Sequence, residues 1–164
     1  MLHEILLSLS GHPSPRLTAT ATGTTSSLIL SPSEKALLAS VAHLTNLHCK
    51  LLASTDEVTS THHSCICQAV ALSIRSTHLA KFQQKVLQVE NDILRKDSGS
   101  VGAYNIVPLT ALVGEFSEWT RRMEWFWEVT QFMKEDCTGA RVIDRLCESV
   151  QTGYSDIEDV SLHL

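Results

Sequence analysis

The sequence predicts an all-α protein, a helical bundle or array of about five to six helices, and three observations carry the prediction. Apolar residues recur at intervals of three and four in five separate segments, the spacing that gathers side chains on one face of a helix. Helix-opening signatures stand at Ser31-Pro32-Ser33-Glu34 and again at Ser155-Asp156-Ile157-Glu158. Runs that alternate apolar with polar residues, as a half-buried strand would, are scarce.

Residues 2–10 place Leu2, Ile5, Leu6 and Leu9 on one face, with Gly11 to close the helix and Pro13 to forbid its continuation. Such a helix is too short to stand alone and must dock. Residues 13–28 are almost wholly Ser, Thr, Ala, Gly and Pro, side chains too small to offset their ordering entropy by burial, and predict a flexible loop. Ser31 then serves as N-cap, Pro32 takes the first helical position, and Glu34 completes a capping box. Leu37, Val41, Leu44 and Leu51 follow at helical spacing, widened by Leu38 and Leu52. The polar, β-branched run that begins at Ser54-Thr55-Asp56 and reaches His63 predicts the end of this helix.

A longer helix is predicted over 65–96, with Leu72, Leu79, Phe82, Val86, Val89 and Ile93 inward and an exit at Lys96-Asp97-Ser98-Gly99. The next, over 107–135 with Pro108 in its first turn, aligns Leu109, Leu112, Phe116, Trp119, Met123 and Phe126. Trp125, Val129 and Phe132 form a second apolar strip on the side opposite that stripe, where a surface helix should be polar; it marks either a thick core or a protein interface anchored by aromatic residues. A fifth helix from Thr138 turns Val142, Ile143, Leu146 and Val150 inward and stops at Gly153. A sixth opens at Ser155, with Val160 and Leu162 starting a stripe close to Leu164, so 1–164 is expected to be an incomplete domain of a longer protein.

Composition narrows the function classes. The 164 residues, 43% apolar and 19% charged, are enough for one domain with a core. A formal net charge of -5 argues against nucleic acid or an anionic membrane as partner and leaves protein as the default. The opening turn carries Glu4, lacks a basic flank and is cut by Gly11 and Pro13, so it is neither a signal peptide nor a membrane span. Five cysteines, mostly within apolar periodic segments, fit a reducing compartment. Nucleotide-binding and metalloprotease motifs are missing.

The cluster His62-His63-Ser64-Cys65-Ile66-Cys67 has the residue types of a zinc site or a thiol enzyme. A structural zinc site wants a second ligand pair at suitable spacing, and none stands elsewhere in the chain, so two packed or half-exposed cysteines at a helix start are the expectation. The chain is accordingly predicted to be no enzyme and to hold no cofactor or metal.

Met1-Leu2-His3-Glu4-Ile5-Leu6-Leu7-Ser8-Leu9-Ser10-Gly11 closely resembles the opening of gamma-tubulin complex components, in particular the component 4 type. Leu30-Ser31-Pro32-Ser33-Glu34 with Leu37 and Leu38 is similar to the family's Pro-Ser-Glu helix start, and Leu79, Phe82, Leu87, Val89, Glu90 and Leu94 fit its long helix. Gly139, Ile143 and Gly153 are similar to the segment that follows. The chain departs from the family pattern in its Ser/Thr/Ala run after the first helix and in Cys65-Ile66-Cys67, where an aromatic residue is common.

The resemblance implies a structural scaffold of microtubule nucleation in the cytoplasm, at the cytoskeleton and the microtubule organizing center or spindle pole. Its implied partners are other gamma-tubulin complex subunits through this helical part, and gamma-tubulin itself through a C-terminal part absent from these residues. An unrelated helical adaptor is the alternative reading.

Overall fold

The structure, a computed structural model, describes residues 2–12, 31–61, 63–98, 109–135 and 138–151. Every regular element among them is helical: α1 (Leu2–Leu9), α2 (Pro32–Thr61), α3 (Cys65–Ser73), a π-helical turn (Ile74–Leu79), α4 (Ala80–Ser98), α5 (Leu109–Lys134) and α6 (Gly139–Gln151). With 65–98 taken as one continuous helix, five helices form the predicted all-α array. The predicted loop at 13–28 and the helix predicted from Ser155 lie outside the described residues.

Local chemistry sets the helix ends. Gly11 adopts φ 104°, a left-handed conformation in which its N–H donates to the Ser8 carbonyl at 3.1 Å and the His12 N–H to that of Leu7 at 3.2 Å. At the start of α2 the Ser31 N–H and hydroxyl both donate to Glu34 Oε2 at 2.8 Å, while the Glu34 N–H donates to Ser31 Oγ at 3.2 Å. These bonds, first from the backbone N–H and then from the hydroxyl, hold the Glu34 carboxyl below its ordinary pKa.

Two predicted features are corrected. The helix expected to end in the run from Ser54 continues to Thr61. The hydroxyls there turn back onto the helix, Thr55 to the Leu51 carbonyl at 2.8 Å, Thr59 to that of Thr55 and Thr61 to that of Glu57 at 2.7 Å each. Burial of Ser54, Thr55 and Val58 then outweighs their weak helix propensity.

The second correction concerns Leu72, expected inward but 54% exposed. The π-turn at Ile74–Leu79 inserts one residue per turn, which rotates everything upstream by about 100° relative to an unbroken α-helix. Leu79, Phe82, Val86 and Val89 keep their predicted burial, while upstream of the turn the buried face is Cys67, Val70, Ala71 and Ile74.

The chain divides into two compact units, the first made of Met1–His48 with Lys81–Thr120 and the second of Cys49–Ala80 with Arg121–Leu164. In the first, Ile5, Leu6 and Leu9 of α1 are buried as predicted. Its core centres on Phe82, whose ring meets His48 at 5.1 Å, Trp119 at 5.3 Å and Phe116 at 5.9 Å, all inclined as aromatic quadrupoles prefer. Lys85 and Glu115 pair at 2.7 Å on its surface. In the second unit, Ile74, Leu79, Met123, Phe126 and Met133 are buried, and His78 lies 4.8 Å from the Phe126 ring. Ion pairs Arg75–Asp56 and Lys134–Glu57 tie the helices at its surface. Gly139 opens α6 at a point where a Cβ would come within 2.7 Å of Ile66 Cδ1 and 2.9 Å of Ser64 Oγ, so the lack of a side chain lets α3 and α6 approach.

Candidate interaction surface

The C-terminal half of α5 carries the strip singled out in the sequence, and the structure divides it. Val129 is 3% exposed, in the second unit's core. Its place follows from helix geometry, since it sits about 60° from Phe126 and about 40° from Met133, both buried, at 100° per residue. Trp125 and Phe132 are half-buried. Trp125 leans on Phe126 at 5.3 Å, and the Arg141 guanidinium stands 5.5 Å from the centre of the Phe132 ring. One apolar edge of each aromatic residue is thereby fixed by the chain's own side chains, with the other left to solvent. Trp127 is also half-buried, and the Lys50 ammonium stands 5.6 Å from its ring.

Further apolar surface escaped the sequence reading. Ile66, Leu72 and Ile143 are 41%, 54% and 47% exposed, on α3 and α6 of the second unit. Ile143 was expected inward beside Val142. Only Val142 is fully buried, Leu146 is half-buried, and the side chain of Val150 lies outside the described residues. A four-residue apolar stripe across a wide arc of α6 leaves its outer member uncovered. Leu72 was hidden by the π-turn, whose phase shift has no composition signal.

The His/Cys cluster does not converge. His62 lies outside the described residues, His63 and Cys65 are exposed, and Cys67 is fully buried. Two residues apart on a helix, Cys65 and Cys67 point about 200° apart. Among the described residues no three His, Cys, Asp or Glu side chains are grouped to hold a metal ion. Burial pushes the Cys49 thiol above its ordinary pKa, which lowers its thiolate fraction and its nucleophilicity. Among the same residues no helix is long and apolar enough to cross a membrane.

Aromatic and aliphatic edges left at the surface of a helical array are what a scaffold domain presents. The family model described as gamma tubulin complex component N-terminal matches residues 2–164. The chain belongs to that family, and its general role is that of a gamma-tubulin complex scaffold. No curated protein and no solved structure matches it.

Proposed function

We propose that the chain is the lateral-assembly part of a gamma-tubulin complex component of the component 4 type. It joins like subunits side by side, so that gamma-tubulin molecules are presented as a template for microtubule nucleation in the cytoplasm, at the microtubule organizing center or spindle pole. The observation that carries this reading is the family match over 2–164. The likeness of the first eleven residues to the component 4 opening supports the finer assignment, and the burial of Ile5, Leu6 and Leu9 gives that opening a structural reason.

In this reading the partner surface is built on Trp125 and Phe132, with Val129 beneath them as support. The partners are other gamma-tubulin complex subunits, and gamma-tubulin is reached through a separate C-terminal part. Tagged chain incubated with purified gamma-tubulin complex subunits and, separately, with purified gamma-tubulin should retain the subunits and leave gamma-tubulin in the wash. Retention of gamma-tubulin alone, or of neither, contradicts the proposal.

A further inference from the structure

His48 is fully buried, and neither of its ring nitrogens has a hydrogen-bond partner. Its ring faces the turn that closes α1, where a Cβ on Gly11 would stand 3.7 Å from His48 Cε1. Phe82 of α4 covers it from another side at 5.1 Å. The neighbouring Thr45 hydroxyl, one helical turn back on α2, is likewise buried without a partner. A neutral imidazole can be held in such a place by packing alone. An imidazolium has two N–H donors and a charge, and here only the Leu9 carbonyl stands near the ring to receive one of them.

We propose that His48 is a proton-operated latch for α1: the neutral ring holds the helix and its Gly11 turn against the first unit, and a proton on the ring releases them. Release is the cheapest response because α1 has only eight residues and depends on docking for its stability. Moving it opens His48 to water without breaking α2 or α4.

The surrounding titratable groups give the protonated ring no counter-charge. On α1 and its exit these are half-buried Glu4, near the far end of the helix from Gly11, and exposed His12. On α4 they are exposed Lys81 and half-buried Lys85, the latter engaged by Glu115, and on α2 exposed His43 and half-buried Cys49. None hydrogen-bonds the ring. Burial depresses the ring below its ordinary 6.5; the Leu9 carbonyl, near the ring without a well-formed hydrogen bond, opposes this in part.

The sign follows from proton linkage. With the docked-state pKa lowered, docking is at full strength above the ordinary histidine value and weakens as pH falls from there through the depressed value, because the open state binds the proton first. Amide hydrogen exchange of the full chain, corrected for the intrinsic pH dependence of exchange, should show the opening constant of α1 rising by up to about tenfold per pH unit in that window. His48→Leu should make it flat. A pH-independent constant in the unmodified chain, or a slope that survives in His48→Leu, overturns the proposal. Should His48→Leu fail to fold, the ring titration of the unmodified chain decides by NMR: a His48 midpoint that coincides with α1 opening supports the latch, and a ring that titrates while α1 stays protected overturns it.

Discussion

At the scale of single residues, position in the packing separates side chains of similar chemistry. Phe82 is fully buried at the meeting point of His48, Phe116 and Trp119, so Phe82→Ala removes a ring that three others rest on. The expected loss is about 3–5 kcal/mol, read as a lower denaturation midpoint. Leu87, five residues on in the same helix, is 56% exposed, and Leu87→Ala should change stability by no more than about 0.5 kcal/mol. Equal losses at the two sites would mean that the first unit's core does not centre on Phe82. Periodicity identified Phe82 in the sequence but could not rank it, because the convergence of rings from three helices is a long-range fact. His48 was legible in position alone: it stands four residues after Leu44 and three before Leu51, on the apolar stripe that His43 misses, but that its ring nitrogens go unpaired is a long-range fact.

At the scale of elements, what was legible is what is decided within a few residues. The capping box at Ser31 and the left-handed Gly11 are local hydrogen-bond and steric devices, and both stand where their residue types put them. The extension of α2 through Thr61 was not legible, because the burial that stabilises it comes from other helices. Nor was the π-turn, which leaves composition unchanged and alters only phase. Deleting the exposed Ser76 tests that account, since one residue fewer lets 65–98 close as a regular α-helix. Ile74 would then stand four residues from Leu79, about 40° round the helix, so Cys67, Val70, Ala71 and Ile74 keep the buried face and Leu72 stays about 120° from Leu79. The expected result is amide protection across 65–74 and total helicity both little changed, and a sharp fall in that protection would show that the turn is not the one-residue insertion that sets the face.

At the scale of the whole molecule, the strip on α5 is where the proposed partner contact is put to the test. A core role and an interface role make opposite demands on its three members, and their burial already differs. Val129 is 3% exposed, so Val129→Asp places a carboxylate in a packed apolar interior and should unfold the second unit. Phe132 is half-buried beside Arg141, so Phe132→Asp exchanges a cation–π contact for an ion pair in partly aqueous surroundings, a change the fold can absorb. Trp125→Ala removes a ring whose own support is Phe126, which stays in place. The double variant Trp125→Ala with Phe132→Asp should therefore keep its circular dichroism spectrum. If the exposed edges of these rings are the anchors of subunit contact, that variant should lose about 2 kcal/mol or more of association in the parent protein, roughly a thirtyfold weaker complex. Helicity and assembly measured on the same sample separate the outcomes. Loss of helicity in the double variant would assign the whole strip to the core, and intact helicity with undiminished assembly would move the interface elsewhere, with the exposed Ile66, Leu72 and Ile143 of the second unit as the next surface to vary.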